Sequence, residues 1–243
     1  IHSLYAGGIA GMRPKPENLK GLDAVVFDIQ DIGARFYTYL ATMGMAMEET
    51  AKADIPFIVL DRPNPINGVL VEGPVLDDLT LRQVTSTAYF PVPIRHGLTA
   101  GEMALFYNAE LKHPKLKVIE LRGWSRALWF DQTGLPWTAP SPNMPDLDAA
   151  TLYPGVAVFE ASNLAVGRGT PVPFRWVGAP WLDSSALLKH MKAARLPGIA
   201  FSEQDYTPTK SVFEGKLCHG IRMKITDRDA LRPLAVFRKL NEG

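Results

Sequence analysis

Residues 25–39 read VVFDIQDIGARFYTY, and this stretch decides the fold. An apolar run typical of a buried strand ends at Asp28 and Asp31, and a glycine turn follows before Arg35 and two tyrosines. In an open α/β sheet, ligands bind just beyond the carboxyl ends of the strands. We therefore expect a binding site here. Two structural alternatives remain: Asp28 or Asp31 caps the following helix, and Arg35 pairs with one of them.

A second apolar run, at residues 56–60, ends at Asp61 and a stiff loop with two prolines. The segment between the two runs, residues 35–53, has a helical apolar stripe formed by Phe36, Leu40, Met43 and Met47. A strand, a helix and a strand form a right-handed crossover, which makes the two strands parallel. Asp61 should then lie at the same edge of the sheet as Asp28 and Asp31.

The same patterns predict the remaining elements. Thr99 and Glu102 match a capping box, so a helix is expected at residues 100–112. Further helices are predicted at 146–152, 183–195 and from near Asp227 to Leu240, and strands at 91–95, 115–121, 155–161, 199–204 and 218–226. The fold class is therefore α/β, and the proline-rich stretch at 122–145 separates subdomains at 1–140 and 141–243.

The composition is that of an ordinary globular protein. With 26 basic and 25 acidic residues the net charge is +1, so there is no footprint for nucleic acid. No apolar run is long enough to predict a membrane span. The single cysteine excludes an internal disulfide and any multi-cysteine metal site. The sequence does not indicate an oligomeric state.

Several catalytic motifs are absent from the sequence. There is no phosphate-binding P-loop, no G-x-S-x-G nucleophile turn and no H-E-x-x-H metal motif. The glycines near residue 8 do not have dinucleotide-binding spacing. His113 and His190 lie on predicted helices and are interpreted as surface residues, whereas His96, at a predicted strand end, is a candidate for the site. We expect no cofactor and no metal.

Carboxylates, arginines, amides and aromatic rings on loops remain, and together they suit a sugar ligand. Asp, Asn and Arg side chains bind sugar hydroxyls, and an arginine fork matches a ligand carboxylate. Glycosidic cleavage needs a proton donor and a second group that acts as base or nucleophile. The candidates for these roles are Asp28, Asp31, Asp61 and Glu160, the last at the end of the predicted 155–161 strand; the sequence does not rank them.

Several motifs resemble those of the exo-β-N-acetylmuramidase family, glycoside hydrolase family 171. They are FDIQD at 27–31 with Gly33, RFYTY at 35–39, LDRPNP at 60–65, EGP at 72–74, RHG at 95–97, SPNMP at 141–145 and GRGT at 167–170. The motifs are long and unusual, and the matches cover nearly the whole chain.

The resemblance implies a Rossmann-like subdomain, a smaller α/β subdomain and a cleft between them. It also implies release of N-acetylmuramic acid from the non-reducing end of peptidoglycan fragments, outside the cytoplasm (secreted or periplasmic). The expected partners are peptidoglycan-derived saccharides. Expected substrate-binding residues are Arg35, Tyr37, Asn64, Arg95, His96, Asn143, Asn163, Arg168 and Thr170, with Arg35 or Arg168 for the lactyl carboxylate.

The resemblance carries one departure and two alternatives. Family members have an upstream Pro-Glu-His-Gly-type loop that is expected to supply a catalytic glutamate, and this chain starts after it. Part of the Rossmann-like subdomain is then expected to lie upstream as well. One alternative is a non-catalytic binder of cell-wall sugars. A weaker one is a nucleotide-sugar or dinucleotide enzyme, which the fold alone cannot support.

Overall fold

A computed structural model describes residues 3–5 and 8–243. The chain forms two compact units, Ile1–Leu135 (unit 1) and Pro136–Gly243 (unit 2). Each unit contains its own sheet. No helix in the described part of the chain is long and apolar enough to cross a membrane.

Unit 1 contains a three-stranded parallel sheet flanked by helices. Its elements are α1 (Gly8–Gly11), α2 (Pro16–Leu19), β1 (Val25–Phe27), α3 (Tyr39–Lys52), β2 (Phe57–Leu60), a 3₁₀ turn (Leu79–Gln83), α4 (Ala100–Leu111), β3 (Leu116–Ile119) and a 3₁₀ turn (Phe130–Gln132). The strand order is β1-β2-β3, with Val26 opposite Ile58 and Ile58 opposite Lys117. The predicted parallel pairing is therefore confirmed.

Helices α3 and α4 bury the apolar core of unit 1. Met43 and Met47 are fully buried, as their helical spacing predicts. Thr99 caps α4 by accepting from the Glu102 amide, and the Glu102 carboxylate accepts from the Thr99 amide. The predicted capping box is therefore confirmed. Helix α3 starts at Tyr39, later than the predicted residue 35, because Ala34 bridges to Arg95 and residues 35–38 form turns and a bend.

Glu48 is a partly buried carboxylate that ties α3 to its neighbours. It accepts hydrogen bonds from the hydroxyls of Tyr107 (2.5 Å) and Tyr89 and from the Arg13 guanidinium. Burial by itself would raise the pKa of the Glu48 carboxyl, but these donors outweigh burial and lower that pKa. The phenol pKa values of Tyr89 and Tyr107 are raised by burial and by the neighbouring carboxylate.

Replacing Glu48 with glutamine should lower the free energy of unfolding by about 2–4 kcal/mol at pH 7, because three donors lose a charged acceptor. A carboxyl whose pKa is lowered by folding stabilises the fold above its unfolded pKa and loses that effect as pH falls through the folded pKa. The difference between wild type and Glu48→Gln should therefore narrow below the ordinary Glu pKa of 4.5. Urea unfolding of both proteins at pH 7 and pH 4 measures this difference in the free energy of unfolding. Exposed Glu17→Gln is the control, and an equal loss there would contradict the prediction.

Unit 2 contains a three-stranded antiparallel sheet and three helices. Its elements are α5 (Leu147–Val156), a 3₁₀ turn (Ala157–Ala161), β4 (Trp176–Ala179), α6 (Ser184–Ala193), β5 (Ile199–Glu203), β6 (His219–Ile225) and α7 (Pro233–Glu242). The strand order is β4-β6-β5. Trp176 and the single cysteine, Cys218, are fully buried together in a small core with Ala165 and Val172. The α/β fold class is confirmed.

The largest error of the sequence prediction is a strand at residues 155–161. The structure has the end of helix α5 and a 3₁₀ turn there. The Asp146 carboxylate caps the helix by accepting from the Ala149 amide at 2.9 Å, and the helix continues to Val156. The apolar stretch fits a strand as well as a helix, and packing decides its conformation here. Gly155 brings the helix so close to α7 that a Cβ atom would lie 2.1 Å from the Pro233 carbonyl oxygen.

Three other details differ from the sequence prediction. Residues 91–95 form no strand; Arg95 and Glu72 exchange backbone hydrogen bonds in an isolated bridge. Asp227 caps a turn through the Asp229 and Ala230 amides, and the last helix starts only at Pro233. Strand β4 has no sequence signal, because its four residues are all buried and carry no alternation.

Candidate functional site

The carboxyl edge of the parallel sheet brings Asp28 to the loop after β2. The Asp28 carboxylate forms an ion pair with Arg62, whose Nη2 lies 2.6 Å and Nε 2.7 Å from Oδ1. Both side chains are partly exposed. This contact joins the residues that follow β1 and β2, and Asp28 pairs with Arg62 and not with Arg35. The expected approach of Asp61 to Asp28 and Asp31 stays a prediction.

Asp31 and His96 form a buried pair next to this edge, with only 5% and 4% of their surfaces exposed. Asp31 Oδ2 accepts from the Gly33 amide at 2.7 Å and lies 3.4 Å from His96 Nε2. His96 Nδ1 accepts from the Leu98 amide at 3.1 Å, so a neutral imidazole carries its proton on Nε2, facing Asp31. Within the described residues, Asp31 Oδ1 has no hydrogen-bond partner. A buried carboxylate oxygen in that state can accept from a ligand.

Asp61 connects β2 to the start of α4. Its two oxygens accept from the Arg62 amide (2.9 Å), the Gly101 amide (2.7 Å) and the Thr99 hydroxyl (2.8 Å). Burial nevertheless outweighs these hydrogen bonds and raises the pKa of the Asp61 carboxyl. These contacts define a structural role for Asp61; a catalytic role stays a prediction.

Arg35 points its guanidinium at backbone carbonyls. Nη1 donates to Val92 at 2.6 Å and to Pro74 at 2.9 Å. Burial lowers the pKa of the Arg35 guanidinium, and its buried Nε has no partner among the residues that the structure describes. Tyr37 is buried and packs edge-to-face on Tyr39, with ring centroids 4.8 Å apart.

Asn64 and Arg95 lie in the interior of unit 1. The Asn64 amide donates to the Leu98 carbonyl at 3.0 Å and accepts from the Ile66 amide at 3.2 Å. The Arg95 guanidinium is fully buried, donates to the Ile66 carbonyl and contacts Glu72 at 3.4 Å. These contacts stabilise loops; the predicted substrate contacts of both residues remain predictions.

Glu160 and Arg168 form an ion pair on the surface of unit 2. The sequence predicted Glu160 at the end of a strand, but Glu160 lies in the 3₁₀ turn after α5. Arg168 contacts both Glu160 oxygens, with Nη2 3.2 Å from Oε2, and its guanidinium carbon lies 5.0 Å from the Phe174 ring centroid. Both side chains are about one-third exposed and line a pocket of about 180 Å³.

Asn143 and Thr170 line a broader groove of unit 2. Its volume is about 460 Å³, and four of its lining residues are prolines. The Thr170 hydroxyl donates within its own loop to Gly167 at 2.7 Å. Lys210, an exposed cation, also lines the groove. Lys210 could not be predicted from the sequence, because no local pattern links it to residues forty positions earlier. Asn163 is exposed and does not line the groove.

Two histidines differ from their sequence interpretation. His113 is buried outside any helix and its Nε2 lies 3.1 Å from the Thr50 hydroxyl. His190 lies on α6, partly buried, with Nε2 3.0 Å from the Lys239 carbonyl. Across residues 3–5 and 8–243, no group of three or more histidine, cysteine, aspartate or glutamate side chains could hold a metal ion.

The fold and these side chains define an α/β protein with carboxylates at the carboxyl edge of a parallel sheet. Two family models match it: "Exo-beta-N-acetylmuramidase NamZ, N-terminal" over residues 1–148, and the corresponding C-terminal model over residues 151–240. The chain belongs to the exo-β-N-acetylmuramidase NamZ family. The resemblance seen in the sequence motifs is confirmed.

Individual relatives agree with the family models. The chain is 42% identical over 230 residues to the peptidoglycan β-N-acetylmuramidase NamZ of Bacillus subtilis strain 168; the match covers 94% of this chain and 54% of that protein. The chain thus spans about half the length of this curated relative.

Two solved structures of DUF1343 family proteins from Bacteroides fragilis also match. The first has a TM-score of 0.89 and 36% identity, and the match covers 98% of this chain and 62% of the Bacteroides fragilis chain. The second has a TM-score of 0.72 and 31% identity, covering 95% and 64%.

Proposed function

We propose that this chain is part of a glycosidase that releases N-acetylmuramic acid from the non-reducing end of peptidoglycan fragments. The observation that carries the proposal is the match of both family models together with 42% identity to a peptidoglycan β-N-acetylmuramidase. Because such a substrate belongs to the cell wall, the proposed location is secreted or periplasmic.

The contacts of the four candidate acids favour Asp31. Asp61 accepts three hydrogen bonds, Asp28 pairs with Arg62, and Glu160 pairs with Arg168. Asp31 alone of the four has a buried oxygen without a partner in the described part of the chain. We therefore assign Asp31 a reactive or substrate-orienting role and the other three supporting roles.

Arg168 is the proposed partner of the lactyl carboxylate. It is partly exposed, and its ion pair with Glu160 lies at the surface, where exchange of one carboxylate for another costs little. Arg35, by contrast, is committed to two backbone carbonyls. Glu160 would then hold the Arg168 guanidinium in place until a ligand arrives.

Arg168→Ala should lower kcat/KM about tenfold or more for a chromogenic N-acetylmuramide turned over by the full-length protein, since a charged hydrogen-bond partner is lost. Asp28→Asn should also lower it, because Arg62 loses its anchor beside the sheet edge. Exposed Arg222→Ala, on β6, is the control. Unchanged kcat/KM in Arg168→Ala and Asp28→Asn would refute both assignments.

The second candidate function is a non-catalytic binder of cell-wall sugars. The observation in its favour is that Asp28, Asp61 and Glu160 already have protein partners, which leaves few carboxylates for chemistry. Calorimetric binding of a peptidoglycan tetrasaccharide without any released sugar would support it. Release of N-acetylmuramic acid by the same protein would exclude it.

A further inference from the structure

A groove of unit 1 lies beyond the carboxyl ends of β2 and β3. Its volume is about 280 Å³, and it is lined by Pro63, Arg122, Trp124, Leu128, Gln132 and Leu135 among others. Pro63 follows Arg62 directly, so the groove begins beside the Asp28–Arg62 pair. Ligands of open parallel sheets bind at this edge.

The aromatic wall of the groove is held by fixed contacts. The Arg126 guanidinium carbon lies 5.8 Å from the Trp124 ring centroid, and Arg126 itself donates to the Gly97 carbonyl at 3.0 Å and pairs with Glu102. The Arg126 carbonyl accepts from the Gly68 amide at 2.7 Å, which ties this segment to the loop after β2. Trp124 is thus held in place before any ligand binds.

Two of the lining residues, Trp124 and Arg122, carry donors without a protein partner among the described residues. The buried Trp124 Nε1 has no acceptor within the residues that the structure describes. Arg122 is exposed and forms no ion pair in that same part of the chain, whereas Arg62 and Arg126 are both paired. A buried N–H without an acceptor destabilises the fold. A ligand acceptor at Trp124 would remove that destabilisation.

The chemistry of these groups fits an N-acetylated saccharide that also carries a carboxylate. The apolar face of a pyranose ring packs on an aromatic side chain, and a hydroxyl or acetamido oxygen accepts from the indole N–H. A guanidinium fork matches a carboxylate. The leucines and Pro63 provide the apolar remainder of the wall.

We infer that this groove binds the part of the saccharide chain on the leaving-group side of the cleaved bond, with a sugar ring on Trp124 and a carboxylate of a neighbouring unit on Arg122. The inference rests on the proposed function, because that function defines which sugars lie on that side. It adds a second binding region to the loops that hold the terminal sugar.

The test compares two substrates of the full-length protein: a chromogenic N-acetylmuramide, which has a small leaving group, and a peptidoglycan tetrasaccharide with N-acetylmuramic acid at its non-reducing end. Arg122→Ala and Trp124→Ala should each lower kcat/KM for the tetrasaccharide about tenfold, and at least fivefold more than for the chromogenic substrate. Arg122→Lys should restore part of the loss, since it keeps the charge without the fork.

Exposed Arg238→Ala, on α7 of unit 2, is the matched control and should change neither substrate. Equal losses for both substrates, or changes below twofold for the tetrasaccharide, would overturn the groove assignment. If the wild-type protein turns over neither substrate, the proposed function fails. Calorimetry with the same tetrasaccharide then tests separately whether the groove binds a saccharide. A Kd about tenfold weaker in Arg122→Ala would then support it, and an unchanged Kd would refute it.

Discussion

Asp31→Asn in the full-length protein is expected to lower kcat/KM for a chromogenic N-acetylmuramide by about 100-fold, which is the range of a lost proton-transfer or charge-orienting group. The Oδ2 atom accepts from the Gly33 amide and faces His96 Nε2, so an asparagine amide placed there would oppose one donor with another. If the asparagine amide is rotated so that its nitrogen takes the position of Oδ1, the acceptor without a partner is lost. Either arrangement also removes the negative charge.

The matched control is Asp23→Asn, an exposed aspartate just before β1, which should leave kcat/KM unchanged. Melting temperatures of both variants distinguish a loss of catalytic activity from a loss of folded protein. A purely structural Asp31 would show a lowered melting temperature with kcat/KM per folded molecule within a few-fold of wild type. That result would remove Asp31 from the site.

Gly155→Ala is expected to reduce the free energy of unfolding by about 3 kcal/mol or more, the upper range for overpacking. The added Cβ would lie 2.1 Å from the Pro233 carbonyl oxygen and 2.6 Å from the carbonyl carbon. Both atoms belong to the backbone at the start of α7, so no side-chain rotation can relieve the contact. Helices α5 and α7 would have to separate.

Gly215→Ala provides the comparison within unit 2. Gly215 has a φ of +72° but open space where a Cβ atom would lie, so only backbone strain of about 1–2 kcal/mol opposes alanine there. Urea unfolding of both variants measures the difference. A loss in Gly155→Ala no larger than that in Gly215→Ala would show that the two helices are not packed through Gly155.

The parallel sheet could be predicted from sequence because each signal is local. The apolar runs that end at Asp28 and Asp61 specify buried strands, and the Met43–Met47 spacing specifies the helix between them. The capping box at Thr99 fixes the start of α4 for the same reason: both hydrogen bonds join residues three positions apart. The crossover rule then supplies the shared edge.

The errors have nonlocal causes. The apolar stretch at residues 155–161 fits a strand, but in the structure Gly155 lies in a helix that packs against Pro233, and the two residues are far apart in sequence. The interior position of Arg95 depends on the Ile66 carbonyl and on Glu72, which no local pattern connects to it. Lys210 reaches the Asn143 groove only through tertiary structure.

Cys218 offers a direct way to follow the opening of unit 2. It is the one thiol in the sequence, it is fully buried beside Trp176, and burial raises the pKa of the thiol. Thiol reagents react with the thiolate, so labelling must wait for a transient opening that exposes this sulfur. The labelling rate under native conditions therefore reports the dynamics of unit 2 alone, without an engineered probe.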